Sequence, residues 1–306
     1  MLRRIASLSP SLHAIAFMLL GMLCFSAMNT AIRYMAGSMP SFQLVFLRNV
    51  FSLLIIIGWQ MARIRAIPRF TTQRLFSHFW RATAGICAME AWFYSLTLLP
   101  LTLATALSFT TPIFSTIIAI CLLGEKAGLR RWSAIMVGFV GMLIILRPGT
   151  DAMSTDALFV IFSSIMMGIA GTLVKSLTRT EPPETIVFFM ALFMVPWSAL
   201  PVFLPWGSGW HDVTGFQLEI VFIIALLSTI AHLFLARAMM RADLVMLMPF
   251  DFTRLIFTAV FAWFLFDETL DGPTFLGALL IVGSTVYIAH REARLAQKQR
   301  AAIGNP

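Results

Sequence analysis

The chain has 306 residues, of which 59% are hydrophobic and 12% charged, and its formal net charge is +8. An average globular domain has about 45–50% apolar and about 25% charged residues. This composition, with a mean hydropathy of +0.87, excludes a soluble enzyme and a disordered chain and indicates an all-α polytopic membrane protein. The excess positive charge falls in loops, so we expect a lipid bilayer as partner and no nucleic acid.

Ten apolar stretches are long enough to cross a bilayer, which takes ~20 residues each. The first is preceded by Arg3 and Arg4 but is too long for a cleavable signal, so we interpret it as a retained span. The loops are short, and no large soluble domain fits between the spans. The predicted spans cover residues 12–34, 41–61, 76–98, 101–123, 131–147, 157–175, 185–205, 217–238, 244–266 and 274–290.

The distribution of Lys and Arg orients these spans. With the N-terminus in the cytoplasm, 17 of the 22 basic residues fall on the cytoplasmic side. Arg33 and Arg147 fall on the other side, and Arg48, Arg81 and Arg254 lie inside spans. Because cytoplasmic loops carry an excess of basic residues, the sequence predicts that both termini are cytoplasmic.

The two halves of the chain share a spacing. An apolar span ends in an acidic turn at Glu125 and again at Glu268, and each turn is followed by a span with a late glycine, Gly141 or Gly283. Five spans per half is an odd number, so the second half must be inverted relative to the first. The sequence therefore predicts two inverted five-helix repeats, residues 1–149 and residues 150–306, the second with a basic cytoplasmic tail. Secondary transporters commonly have this architecture.

Two stretches of the sequence resemble a known family. Residues 99–149, LPLTLATALSFTTPIFSTIIAICLLGEKAGLRRWSAIMVGFVGMLIILRPG, are similar to the repeat of the EamA-type branch of the drug/metabolite transporter (DMT) superfamily, and residues 242–291 follow the same pattern. FLRN at 46–49 and the segment 79–100 resemble spans two and three of bacterial S-adenosylmethionine uptake carriers. The resemblance implies ten helices around a central substrate cavity in the bacterial cytoplasmic (inner) membrane.

Glu90 is the deepest predicted acidic residue. It lies 14 residues after Phe76, which is about 21 Å into the span. Intramembrane ionisable residues are costly and usually face the interior of the bundle, so Glu90 is a candidate substrate contact and a candidate proton carrier. The alternatives are a protonated buried side chain and a purely structural pair with Arg48. Tyr94 shares the helix face of Glu90 and is a second candidate contact.

Asp251 and Arg254 are spaced i, i+3, so they lie on one helix face and are able to pair. They are candidates to hold a zwitterion, with a structural pair as the alternative. His232 lies 142 residues after Glu90, at the equivalent position of the second repeat. It is a candidate proton carrier, although a lone histidine in a span is more often hydrogen-bonded to a carbonyl.

Two further polar groups complete the predicted site. Asn29 belongs to a stripe in span one with Ser26, Thr30 and Arg33, for which interhelical hydrogen bonding is the alternative. Thr111 lies beside Pro112 in span four, where freed backbone often lines a cavity. The sequence thus predicts substrate contacts at Asn29, Arg48, Glu90, Tyr94, Thr111, Asp251 and Arg254.

Motifs of catalytic, nucleotide or metal chemistry are not found in the sequence, so we expect no enzyme and no cofactor. The sequence favours a secondary transporter that moves a small zwitterionic or charged metabolite, such as an amino acid or an S-adenosylmethionine-like compound, by alternating access. The alternatives are a membrane enzyme acting on a lipid-soluble substrate, an exporter of drug-like solutes and an accessory membrane protein. A homodimer is left open. The substitution Glu90→Gln is expected to abolish transport while leaving the folded yield intact.

Overall fold

The computed structural model describes residues 10–64, 70–111, 113–115, 117–118, 129–147, 155–177, 180–204, 209–241, 250–251, 253–269, 271–284 and 286–287. All regular structure within these residues is helical, which confirms the predicted all-α fold. The helices of this part of the chain are α1 Pro10–Tyr34, α2 Ser41–Ile64, α3 Leu75–Leu98, α4 Leu101–Ser108, α5 Leu129–Leu146, α6 Ala157–Leu177, α7 Pro183–Phe203, α8 Gly215–Arg241, α9 Thr253–Phe266 and α10 Gly272–Ser284.

These ten helices fall on the ten predicted spans. By length and composition, α1, α2, α6, α7 and α8 contain stretches able to cross a membrane. The clearest difference from the predicted spans is in α4, whose regular helix is interrupted after Ser108; beyond the turn, residues 111, 113–115 and 117–118 are helical again. The amides of Phe109 and Thr110 bond back to the carbonyls of Ala106 and Leu107, so the chain tightens into a turn there. Pro112, the expected cause of an interruption, lies outside the described residues.

The contacts between helices reflect the symmetry of the two repeats. The most extensive contacts join α1 to α8, α3 to α6 and α2 to α7. The pair α1 and α8 and the pair α6 and α3 are the same contact seen from each repeat, because the first and third helices of each repeat exchange partners. The repeats are thus interleaved along their length, so any centre they enclose is lined by helices of both.

Glycines let α5 and α10 approach closely. A Cβ atom on Gly141 would lie 2.7 Å from the carbonyl oxygen of Gly277, and one on Gly277 would lie 2.5 Å from that of Gly141. Neither position therefore tolerates a side chain without a shift of the backbone. Gly171 in α6 differs, since a Cβ atom there would have no neighbouring atom within 4 Å.

Candidate functional site

Arg48 is held by groups from both repeats. Its side chain is 2% exposed, and one guanidinium nitrogen donates to Oδ1 of Asn49 at 2.7 Å. The other terminal nitrogen donates to the hydroxyl of Ser228 on α8, while the sulfur of Met89 on α3 lies 3.6 Å from Nη1. Nε of Arg48 has no partner among the described residues. The guanidinium is therefore fixed in orientation and still has a donor to offer.

Glu90 does not pair with Arg48. Both carboxylate oxygens of Glu90 are buried, and neither has a hydrogen-bond partner among the described residues. The expected structural pair is not formed because α3 presents Met89 to Arg48, and consecutive residues of a helix point about 100° apart. A buried carboxylate without a donor is costly as an anion, so Glu90 takes up a proton or gains a donor in another conformation.

Tyr94 follows Glu90 by four residues and lies on the same side of α3. Its ring is 6.5 Å, centroid to centroid, from that of Phe42 on α2 and 4.9 Å from that of Phe159 on α6. Tyr94 is therefore packed among aromatic rings, one helical turn from Glu90.

Arg81 lies on the opposite side of α3 from Glu90, since the nine residues between them make two and a half helical turns. The side chain is 8% exposed, so it does not reach out to the surface as a span-end arginine can. Nε and Nη1 of Arg81 are buried without a partner among the described residues. Arg81 is near enough to Arg48 for the two positive charges to repel each other. The sequence analysis left Arg81 out of the predicted site, because its position near the start of the span was equally consistent with reaching out to water.

His232 lies beside this pair of arginines. Its Nδ1 is 2.8 Å from the carbonyl oxygen of Ser228, and a carbonyl only accepts, so Nδ1 is the protonated ring nitrogen and donates. The ring packs edge-on against Phe25, with centroids 5.0 Å apart. Both Arg48 and Arg81 act on His232 electrostatically. The structure thus brings together Arg48, Arg81, Ser228 and His232, which we call the arginine cluster.

The polar stripe of α1 joins neighbouring helices. Oδ1 of Asn29 accepts a hydrogen bond of 3.1 Å from the indole N–H of Trp92 on α3. Ser26 donates to the backbone carbonyl of Arg254 at 3.0 Å and accepts from Thr258 at 3.2 Å. These are interhelical hydrogen bonds, which was the alternative for this stripe. Asn29 is 2% exposed, so its amide lies in the interior of the bundle.

Arg254 turns toward α4 instead of pairing with Asp251. Its Nη2 donates to the hydroxyl of Ser108 at 3.1 Å, and its guanidinium carbon lies 5.3 Å from the ring centroid of Phe109. Nε is buried without a partner among the described residues. The ion pairs of the described chain do not include one between Asp251 and Arg254. Asp251 and Thr111 are both half-buried. Each is followed directly by a residue that the structure does not describe.

One polar network lies at the end of the molecule where α3 begins. Nε2 of His78 is 2.6 Å from Oε2 of Glu181, and both side chains are buried. The guanidinium of Arg74 donates to the carbonyl oxygen and the hydroxyl of Ser176, at 2.7 Å each. This His78 network ties the first repeat to the turn between α6 and α7 of the second. The sequence offered no signal for it, since its members are about a hundred residues apart.

A second network lies at the opposite end. Nε of Arg33 is 3.8 Å from Oε1 of Glu268, and Nη1 of Arg33 donates to the carbonyl of Leu96 at 2.8 Å. The backbone N–H of Thr102 donates to Oε2 of Glu268 at 3.3 Å. Arg147 pairs with Asp271 at this same end. The Glu268 network likewise ties residues of the first repeat to residues of the second.

Among the described residues, no group of three or more His, Cys, Asp or Glu side chains is placed to hold a metal ion. Cys24 and Cys87 are free thiols, half-buried in α1 and α3, as expected for packing residues. Cys121 lies outside the described residues.

A family model and several known proteins match the chain over most of its length. A model of the EamA-like transporter family matches twice, over residues 12–147 and 155–289. The S-adenosylmethionine uptake transporter of Rickettsia felis is 27% identical over 288 residues, which are 94% of this chain and 96% of that protein. The riboflavin transporter of Rhizobium johnstonii is 30% identical over 284 residues, 92% of each chain. The riboflavin transporter of Vibrio cholerae is 26% identical over 293 residues, with 94% and 97% covered.

A solved crystal structure shares the fold. It superposes with a TM-score of 0.63 and covers 92% of this chain and 98% of its own, at 17% identity. A likeness at that identity extends to the fold alone.

Apolar helices in two interleaved repeats, with a buried polar centre and transporters as relatives, define a multi-pass membrane transporter of small molecules and not an enzyme. The chain belongs to the EamA-like transporter family. Membership confirms the family resemblance of the sequence and its two five-helix repeats.

Proposed function

We propose that the protein is a secondary transporter that takes up a small zwitterionic or charged metabolite across the bacterial cytoplasmic membrane by alternating access. The observation that carries this proposal is the position of the arginine cluster. It is buried between helices of both repeats and lies between two polar networks, each of which joins one repeat to the other. Relatives with full-length similarity are named as transporters of S-adenosylmethionine and of riboflavin.

The two networks support alternating access in particular. Opening the end with His78 and Glu181 would break contacts between the repeats there, while the contact of Arg33 with Glu268 holds the opposite end closed. Rocking the repeat 1–149 against the repeat 150–306 would exchange these roles. Inverted-repeat transporters move in this way around a fixed central site.

The predicted site residues have distinct proposed roles. Arg48 and Arg254, each with a free guanidinium donor, bind the acidic end of the substrate. Asn29 and Thr111 offer neutral hydrogen bonds, and Asp251 attracts the amine or other cationic group.

Proton coupling is assigned to the remaining residues. The unpartnered carboxylate of Glu90 is the proposed proton carrier, in the aromatic surroundings of Tyr94. His232, which donates to a backbone carbonyl, is the second candidate.

We also propose that both termini are cytoplasmic. The excess of Lys and Arg on one side supports this orientation. The order of the spans is supported by contacts between span ends of the same predicted side, such as Gln43 with His211 and Arg63 with Glu184. In intact cells, single cysteines placed in the N- and C-terminal tails should react with a membrane-permeant maleimide and resist an impermeant one.

The experiment that tests the function is uptake into proteoliposomes holding the purified chain. The panel is labelled S-adenosylmethionine, riboflavin and several amino acids, each with and without an imposed pH gradient. We expect saturable uptake of at least one solute, reduced on the order of 100-fold by Arg48→Met, because a fully buried charge contact is lost. Met is the residue found at the equivalent position 190 of the second repeat.

Arg241→Gln is the matched control, since Arg241 is exposed at the end of α8. Both variants are checked for folded yield by size-exclusion chromatography. Absence of uptake of every solute by well-folded wild-type protein would contradict the proposed function. Equal uptake by wild type and Arg48→Met would remove Arg48 from the site.

A further inference from the structure

We propose that Arg48 and Arg81 together form one anion-binding subsite, which takes an acidic group of the transported molecule, a carboxylate or a phosphate ester. The inference rests on the proposed transport function and deepens it. It adds Arg81 to the site and restricts the substrate to molecules that carry an anionic group.

The first argument is the set of free donors. Arg81 is 8% exposed and Arg48 is 2% exposed, yet Nε and Nη1 of Arg81 and Nε of Arg48 have no acceptor among the described residues. Buried polar groups in folded proteins are almost always hydrogen-bonded. Three unpaired donors on two neighbouring guanidinium groups therefore indicate an acceptor that comes from outside the chain.

The second argument is the lack of a counter-charge in the surrounding helices. A buried guanidinium group is costly unless an anion or hydrogen-bond acceptors lie beside it, and both Arg48 and Arg81 are buried with unpartnered donors. The sequences of α1, α2 and α6 contain no Asp or Glu. Of the acidic residues on the other packed helices, Glu90 lies on the far side of α3, Glu184 pairs with Arg63 and Glu219 is near the start of α8.

The third argument is preorganisation. Asn49 and Ser228 already fix the guanidinium of Arg48, and the hydroxyl of Ser228 also lies 3.4 Å from the ring of His232. An anion arriving between the two arginines would meet donors whose orientation is largely set, so little ordering of side chains is required. Arginine is the residue best suited to carboxylate and phosphate groups.

The test uses pairs of ligands that differ by a single acidic group. One pair is S-adenosylmethionine and its decarboxylated analogue. The other is riboflavin 5′-phosphate and riboflavin. Binding of each to the purified wild-type protein in lipid nanodiscs is measured by isothermal titration calorimetry. In at least one pair we expect the acidic member to bind about 10-fold or more tightly than its partner, as charge-assisted hydrogen bonds in a buried site imply.

Variants locate the effect. Arg81→Gln should bring the two members of the pair to within about 3-fold of each other, by weakening the acidic one alone. Arg81→Lys, which keeps the charge, should restore part of the preference and also covers the case in which Arg81→Gln does not fold. Arg241→Gln should behave as wild type. When the same two ligands are compared in uptake assays, the acidic member should again be preferred.

The outcomes separate the two proposals. Binding of a ligand with no preference for the acidic member in either pair, or a preference that survives Arg81→Gln unchanged, would overturn the subsite while leaving the transporter proposal standing. Failure of the well-folded wild type to bind any of the four ligands, or to take up any solute of the wider panel, would overturn both.

Discussion

Helix α3 carries its two buried charged side chains on opposite sides, and their surroundings differ. Arg81 faces a polar neighbourhood, and its charge acts on Arg48 and on His232. Glu90, two and a half turns further on, has no hydrogen-bond partner among the described residues, and Tyr94 one turn beyond it packs against aromatic rings. The same helix thus offers one side suited to binding a charged molecule and another suited to carrying a proton.

This contrast shows that the side of a helix decides the role of a buried charge, more than its depth does. Depth favoured Glu90 over Arg81 in the sequence, since Glu90 lies past the middle of its span and Arg81 near the start. We propose the reverse ranking for substrate contact, because Arg81 is buried with unpartnered donors and its charge acts on Arg48. Which side of α3 meets the centre depends on how α6 and α7 pack against it.

The largest expected effect comes from placing an acid on the arginine side of α3. In Met89→Glu, the new carboxylate would replace a sulfur that lies 3.6 Å from Arg48. It should pair with Arg48 and occupy the position that we assign to the acidic group of the substrate. Uptake should fall on the order of 100-fold, while the melting temperature rises by several degrees, because a buried unpaired donor gains its partner.

The matched control for that variant is Met89→Gln, which has nearly the same shape and no charge. It should retain most of the uptake and show no comparable stabilisation. Equal losses in the Glu and Gln variants would mean that packing at position 89 matters and charge does not. The measurements are proteoliposome uptake and thermal unfolding of the same preparations.

A smaller effect is expected on the opposite side. Glu90→Gln removes the proposed proton carrier while preserving the size and polarity of the side chain. Ligand affinity should stay within about 3-fold of wild type, since the carboxylate of Glu90 makes no hydrogen bond with the arginine cluster, whereas accumulation driven by a pH gradient should fall about 10-fold. Uptake with and without the gradient, alongside calorimetric affinity, separates these two quantities.

This outcome refines the expectation from sequence that Glu90→Gln abolishes transport. A loss of binding as large as the loss of accumulation would place Glu90 in the substrate site after all. Full retention of gradient-driven accumulation would transfer the coupling role to His232, for which His232→Gln is the corresponding variant.

Much of the fold could be predicted from the sequence, because spans and charges follow simple rules. Apolar length located all ten helices, and the odd number of spans per half required inverted repeats. Pro112 signals a break in this span, but the exact place of the turn after Ser108 could not be located in this way, because Phe109 and Thr110 are compatible with a continuing helix.

The candidate site was predictable in its residue types and not in its pairings. Arg48, His232 and Asn29 were found because polar groups inside spans are rare and costly. The structural pairs left open as alternatives, Glu90 with Arg48 and Asp251 with Arg254, are not formed, because both arginines reach to other helices, at Ser228 and Ser108. Such contacts depend on helix rotation, on which hydropathy and spacing give no information.

The smallest expected effect concerns a residue on the arginine side of α3 that closes one end of the molecule. His78 lies three residues before Arg81 and is 2.6 Å from Glu181 of the second repeat. Glu181→Gln keeps a hydrogen-bond acceptor and removes the charge, so this end should open more often without loss of fold. If the substitution weakens the contact between His78 and Glu181 by about 0.5–1 kcal/mol, the population with this end open should change about 3-fold.

The population of the open end can be measured with a cysteine at Ala82, a fully buried position next to Arg81, in a background without Cys24, Cys87 and Cys121. Ala82→Cys should react with a soluble maleimide about three times faster when combined with Glu181→Gln, and more slowly again when ligand is present. Glu268→Gln, which weakens the network at the opposite end, should have the reverse effect, because opening that end requires this one to stay closed. If both substitutions speed the reaction equally, the two networks do not alternate, and the arginine side of α3 is reached by general loosening instead of by movement of one repeat against the other.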